Sequence, residues 1–372
     1  MKTSFNEQND FLSFKQDLAK LADSSESGCL MVFICDDNDW DPDQMSAVFT
    51  SIEVPLIGGI FPQIVFGVKH SSTGYLIVQS DLEIQPVVIK GLDDDSVNFE
   101  SLVDEAIDPE LQVASMMVLV DGLSTRISSF VDSLFALFGA DVRYIGGGAG
   151  SLSFEQSPCV FSNEGLFQGA AVIGLTSSSL PVEVGHGWEP IDKGHFVTRV
   201  EKNVVKEIDY KNAFEVYQAI LAPYLNGKSF APENFFEIAQ SFPLGIKKID
   251  GDYVVRDPIS VNEEGHLICV GEMQEGDHID ILQGKADKLI SSSSSIAEKL
   301  FRAPQPSAGV FVMDCISRAL FLEDQFEAEL SAIADQANQE HCIFGALVLG
   351  EIANSGSGYL EFYNKTTVIS LL

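Results

Sequence analysis

Apolar residues in this chain fall into short runs, and one arrangement of runs and polar breaks recurs three times. The first copy opens with the run Leu30–Cys35 and passes Asp36 and Asp37 into a polar stretch. A short helix is expected over Asp43–Ser51, then a strand running into glycines at Pro55–Gly59, then a strand at Tyr75–Gln79. The second opens with Met116–Val120 and turns at Asp121–Gly122. Val131, Leu134, Phe135 and Phe138 then recur at helical spacing, Val142–Ile145 leads into Gly146–Gly148, and Ala170–Leu175 closes the copy. The third opens with Val310–Met313, turns at Asp314, and carries a helix near Gln325–Gln336. Cys342–Phe344 then leads to Gly345, and Thr367–Leu372 closes it. A strand–helix–strand crossover makes a parallel strand pair covered by a helix, and hairpin-like strands after each glycine segment add antiparallel neighbours. The expected fold class is α/β, with mixed sheets built from repeated strand-helix-strand units.

Outside the repeats, Phe11, Phe14, Leu18 and Leu21 share one helical face over Asn9–Ala22, and Ser24–Ser27 read as a polar linker. Between the second and third copies, a helix is expected over Asn212–Leu225. Short strands follow at Ile249–Val255, Ile259–Asn262, Leu267–Val270 and His278–Leu282, with tight turns at Asp250–Gly251 and Glu264–Gly265. The five-serine run Ser291–Ser295 reads equally as a surface loop or as the start of a helix through Ile296–Phe301, and the prolines within Ala303–Ser307 mark entry to the third copy.

Composition narrows the function. Acidic groups outnumber basic ones 55 to 22, for a formal charge of −33. Such a surface repels phosphates and anionic lipid, which argues against nucleic-acid or membrane-surface binding. No apolar run has the length of a membrane span, and Met1–Asn9 is too polar for a signal peptide, so a cytoplasmic location is expected. The six cysteines are scattered without a C-x-x-C pair and read as reduced and buried.

A series of fragments in fixed order resembles the FIST family. The series runs Gly146-Gly147-Gly148-Ala149-Gly150, Cys159-Val160-Phe161, Gly185-His186-Gly187-Trp188-Glu189-Pro190, Phe242-Pro243-Leu244-Gly245, Val255-Arg256-Asp257-Pro258, Gly271-Glu272-Met273, Cys315 with Arg318, Gly345, and Gly350-Glu351. The resemblance implies two tandem FIST domains: residues 28–211 as FIST N and 212–372 as FIST C, preceded by an N-terminal helix and linker over 1–27. It also implies a sensory protein of signal transduction that binds a small ligand such as an amino acid. Similar stand-alone bacterial members are haem-binding nitric-oxide sensors that regulate histidine kinases. By that resemblance the chain is expected to hold haem b and to signal through a separate histidine kinase or other signalling protein, since these 372 residues contain no kinase segment.

Two site expectations follow. His186 sits between Gly185 and Gly187, which remove bulk on either side, with Trp188 as an apolar wall. An imidazole there suits an axial haem ligand, and His195 is the alternative or second ligand. The competing role for His186 is to cap a strand or bond a backbone carbonyl. Alternatively, Arg256, Arg318 and Glu351 hold the two ends of an amino acid, a guanidinium meeting its carboxylate; a local or buried ion pair is the competing role. The only metal expected is haem iron on His186. Gly146–Gly150 lacks a following Lys-Ser/Thr and reads as a tight turn, not a phosphate loop. Nothing in the spacing places Cys315 beside His341, so no catalytic residues are expected and the chain is read as a non-enzyme.

Overall fold

The computed structural model describes residues 1–24, 28–248, 251–302, 309–337, 341–354 and 358–372. The linker expected at Ser24–Ser27, the Asp250–Gly251 turn and the prolines of Ala303–Ser307 lie wholly or partly outside these residues. Among the described residues the strands form three six-stranded sheets and one of seven.

The three copies are real and alike. In each, two strands pair in parallel around a helical crossover: Cys29–Cys35 with Leu56–Phe61, Ser115–Asp121 with Arg143–Ala149, and Gly309–Cys315 with Cys342–Val348. Both strands of each pair are almost wholly apolar because helices or a second sheet cover both faces. The closing strands Tyr75–Ser80, Ala170–Thr176 and Thr367–Leu371 add antiparallel to the first strand. Residue equivalence extends to single pairs: Val32 faces Gly58, Val118 faces Gly146, and Val312 faces Gly345. A Cβ on those glycines would lie 2.2, 1.7 and 1.8 Å from the valine carbonyl oxygen opposite, so only glycine fits the close pairing. The glycine runs are thus a packing device; Gly146–Ala149 lie inside the strand Arg143–Ala149 and not in the tight turn expected there, because the close parallel pairing is what calls for glycine.

Two features of the repeat were hidden in sequence. Each copy begins earlier than its apolar run, with an edge strand and a helix: Lys2–Asn6 with Phe11–Asp23, Gln85–Lys90 with Phe99–Ala106, and Val182–Gly185 with Ala286–Leu300. The N-terminal segment is therefore the opening of the first copy rather than a separate appendage. Ser291–Ser295 lie inside the third of these helices, where Ser293 is buried. Second, the hairpin after each glycine segment pairs with another copy. Gln63–Phe66 adds to Cys342–Val348, Val160–Ser162 adds to Leu56–Phe61, and Glu351–Asn354 adds to Arg143–Ala149. The first copy gives to the third, the third to the second and the second to the first. Closing the cycle covers strand edges that would otherwise invite aggregation.

Between the edge strand and helix of the third copy lies an insert. Glu189–Glu201, His278–Gln283, Leu244–Lys247, Tyr253–Val261, Leu267–Val270 and Val204–Ile208 pair in that order, and the last returns to the first. This is a closed antiparallel barrel around its own core of Tyr217, Phe230, Phe235 and Ile281. The strands expected as Ile249–Val255 and Ile259–Asn262 are one strand through Pro258, which sits at a register shift where the ladder is interrupted. The boundary expected between 211 and 212 runs through the short strand Lys211–Asn212 of this same sheet.

Candidate functional site

A cavity of about 430 Å³ opens where the barrel folds over the carboxyl ends of the second and third crossover units. Gly122–Ser124 follow the first strand of the second unit. Cys315–Ser317 and Leu349–Gly350 follow the parallel strands of the third, and Asp257, Ile259 and Cys269–Glu272 come from the barrel. Loops beyond the carboxyl ends of parallel strands are where α/β sheets bind ligands, because the strands hold them rigidly while the loops vary freely. The mouth is rimmed by Leu152, Phe154, Phe236 and Leu320, all exposed.

The floor is polar. Asp257 is buried; its Oδ2 accepts from Ser317 Oγ at 2.8 Å and pairs with Lys365 Nζ at 3.1 Å, while Oδ1 has no partner among the described residues. Burial pushes the Asp257 carboxyl up, and Lys365 pulls partly against it. Asn364 gives its side-chain amide N–H to Tyr363 O at 2.9 Å, and its own oxygen has no partner among the described residues. Lys365 is fully buried with φ 52°, in the left-handed region. Its Nζ also donates to Gln240 O at 3.0 Å, and its carbonyl accepts from Trp188 Nε1 at 2.8 Å and Arg318 Nη1 at 3.2 Å. Those bonds hold the unusual backbone in place. In sequence, Asn364-Lys365-Thr366 between two apolar strands looks like an ordinary turn; nothing there marks the lysine as buried.

His186, Trp188, His195, Arg256, Arg318 and Glu351 lie outside the cavity lining, whereas Asp257, Gly271, Glu272, Cys315 and Gly350 of the recognised fragments belong to it. Arg256 donates to Glu272 O, Val255 O and Phe362 O at 3.0, 3.2 and 2.8 Å, so its fork joins the barrel to the strand Leu360–Tyr363 and clamps no ligand. Arg318 is fully buried between Asp314 (3.3 Å) and Glu329 (2.5 Å), and also donates to the carbonyls of His186, Leu289 and Lys365. Glu351 accepts from Thr366 N–H at 3.2 Å rather than facing Arg318 as an ion pair; its other oxygen has no partner among the described residues. Burial first, then the nearby Asp314 charge, raises its pKa well above the usual range. The competing expectation, a buried structural network, describes these groups.

His186 is engaged at both nitrogens. Nδ1 accepts from Trp188 N–H at 3.0 Å, which places the proton on Nε2, and that donates to Asp252 Oδ1 at 3.2 Å. Its glycine neighbours admit a helix, not a ligand. A Cβ on Gly185 would lie 2.7 Å from Ile296 Cγ2, and one on Gly187, at φ +78°, would lie 2.6 Å from Lys288 O. Trp188 is buried against Phe321 as core. His195 is held by Asp209 at 2.7 Å and Asp192 at 3.2 Å on the barrel surface.

Residues 29–211 match the FIST N domain and residues 213–354 match the FIST C domain. The chain belongs to the FIST family. FIST domains are sensory, ligand-binding domains of signal transduction, and the two lie in tandem here. An uncharacterized protein of Methanocaldococcus jannaschii is 26% identical over 184 residues, 47% of this chain and 35% of the relative. The chain thus spans about a third of that relative's length. No helix among the described residues is long and apolar enough to cross a membrane.

Haem, which similarity to some FIST proteins implied, does not fit these residues. Among the described residues no histidine lines the cavity, and both nitrogens of His186 and of His195 are already hydrogen-bonded. The cavity's thiols, Cys269 and Cys315, are raised by burial and stay protonated, which disfavours thiolate ligation.

Proposed function

We propose that this FIST protein is a sensor whose small-molecule ligand binds in the cavity between the crossover units and the barrel. The observation that carries the reading is position: one cavity touches strand ends from both matched halves and the barrel together. An occupant bridging them changes the free energy of the barrel's seating on the repeats, which is the differential contact a sensor needs. The readout then passes to a separate signalling protein, for which a histidine kinase remains the working partner. The cavity volume lies within the roughly 300–1,000 Å³ of small-ligand sites. A nitric-oxide sensor working through haem finds no support in the donor set described above.

The test is a thermal-shift screen of a metabolite library, with hemin as a spectral arm, on wild type and on Val270→Phe, which fills the cavity from the barrel side. A ligand raises the melting temperature of the wild type because it binds only the folded chain. The reading predicts that Val270→Phe folds and loses the shift. A ligand whose shift survives in Val270→Phe places the site elsewhere, and a sharp Soret band from hemin restores the haem reading.

A further inference from the structure

The lining of the cavity has a sign. It holds two carboxylates, Asp257 and Glu272, and one cation, Lys202; Lys202 is engaged by Asp95 at 3.7 Å, and Lys365 beneath the floor is spent on Asp257 Oδ2 at 3.1 Å and Gln240 O at 3.0 Å. Asp257 and Asn364 each have an oxygen without a donor among the described residues. A buried acceptor left without a donor carries its full desolvation cost, so a ligand donor that reaches both gains more than an ordinary hydrogen bond. Much of the remaining surface is apolar: Leu123, Ile127, Ile259, Ile316, Leu349 and Phe362. The rim continues that apolar surface outward, and the net charge of −33 draws cations toward the molecule.

We propose that the ligand is an amine-headed amphiphile. A protonated primary or secondary amine sits at the floor against Asp257 Oδ1 and Asn364 Oδ1, and an apolar body runs to the rim. This rests on the cavity being the sensory site and names its ligand class. An α-amino acid is disfavoured because its carboxylate lacks a matching cation: neither Arg256 nor Arg318 lines the cavity, Arg318 is held between Asp314 and Glu329, and Arg256 donates to the backbone carbonyls of Glu272, Val255 and Phe362. The first turn of the helix Ile127–Phe138 also opens on the cavity and favours an anion in principle. The loop before it, however, already gives the N–H groups of Leu123 and Thr125 to Asp121 and Asp93, at 3.1 and 2.8 Å.

The experiment compares four probes of one carbon skeleton by calorimetry on the full chain at pH 7: hexylamine, hexanol, hexanoate and norleucine. Hexylamine is expected to bind at least about tenfold more tightly than hexanol, the size of one charge-assisted hydrogen bond. Hexanoate and norleucine are expected to bind more weakly still. Asp257→Asn should erase the amine preference while leaving hexanol unchanged. Because that variant leaves Lys365 unpaired and can fail to fold, Glu272→Gln serves as a second reading, with an amine loss of about threefold. Equal affinity for amine and alcohol, preference for hexanoate or norleucine, an amine preference untouched in both variants, or binding of none of the probes overturns the proposal. Tight binding of an anion that Val270→Phe abolishes sinks the amine while keeping the cavity as the site.

Discussion

The first and third crossover units share one topology and differ in what fills them. In the first, the interior is aromatic: Phe49 stacks on Phe161 at 4.0 Å and 7°, and Phe33 packs against Phe61. In the third, Asp314 occupies the position that Ile34 holds in the first, two residues beyond the equivalent Val312 and Val32. Around it gather Arg318, Glu329, Glu351 and Lys365, all buried. A dry aromatic core is stable without conditions, because nothing in it titrates. A buried charged cluster costs desolvation for every member, so its retention in one of three like units calls for a use. The cavity lies against the third and second units, and among the described residues the first supplies none of its lining. One unit serves as scaffold, and another carries polar machinery beneath the site.

The largest effect expected from disturbing that difference is at Arg318. Arg318→Met leaves Asp314 and Glu329 buried without their cation and frees three carbonyl acceptors. A loss of about 3–5 kcal/mol in urea denaturation is expected. A loss below about 1 kcal/mol would mean that the carboxylates are neutral and the units are less different than drawn. The matching change in the first unit is Phe49→Leu, which gives up the stack on Phe161. It is expected to cost about 1.5 kcal/mol and to leave ligand affinity untouched.

A subtler contrast is in pH. Burial raises the pKa of both acids, helped by the Glu329 charge at Asp314 and by the Asp314 charge at Glu351. The unfolded chain releases a Glu proton near pH 4.3, while the folded chain keeps it. Above that pH the folded state binds more protons, so stability falls as pH rises toward the folded-state values. Glu351→Gln removes one such proton. The variant is expected to show a flatter stability–pH curve between pH 5 and 8, measured by melting temperature, and to be relatively more stable at the alkaline end. Phe49→Leu leaves the slope unchanged. A wild-type slope unaffected by Glu351→Gln would remove the protonated-acid account.

Much of the crossover architecture was legible because its signals are local. Apolar runs, glycines and helical spacing sit within each unit, and the Val–Gly pairs show why the glycines recur. The edge strands Lys2–Asn6 and Gln85–Lys90 were not legible, since half-exposed edges mix polar and apolar residues and need only one partner. Nor was the hairpin exchange, because Phe66 beside Phe344 or Glu351 beside Gly147 depends on contacts far apart in sequence. At the site, Gly185 and Gly187 signalled close approach correctly, but the approaching object is a helix. Arg256 was visible as important and misread in role, while Lys365 carried no signal. Residue type announces that a group is special; only its neighbours say whether it faces a ligand or the protein.

The barrel surface offers the mildest contrast with the buried cluster, at His195. Burial pulls this imidazole's pKa down, but hydrogen bonds to Asp209 and Asp192 more than offset it, so the net shift is upward. The Asp209 carboxyl is in turn held below its ordinary value: its partial burial is outweighed by His195 and by the Phe196 N–H at 3.0 Å. A raised histidine contributes stability that is fully present below its unfolded value near 6.5 and is lost as pH rises through the folded value. Asp209 has φ 52°, a conformation that asparagine also tolerates, so Asp209→Asn removes the charge without straining the turn. The variant is expected to lose at most about 1 kcal/mol at pH 5.5 and less at pH 8.5, as befits a pair near the surface. The His195 ring-proton titration, followed by NMR, should move to lower pH. An equal loss at both pH values would show that Asp209 acts through its bond to Phe196 N–H and not through the imidazolium. The share of the downward pH slope assigned to this histidine, which runs in the same direction as that of Glu351, would then have to come from other groups.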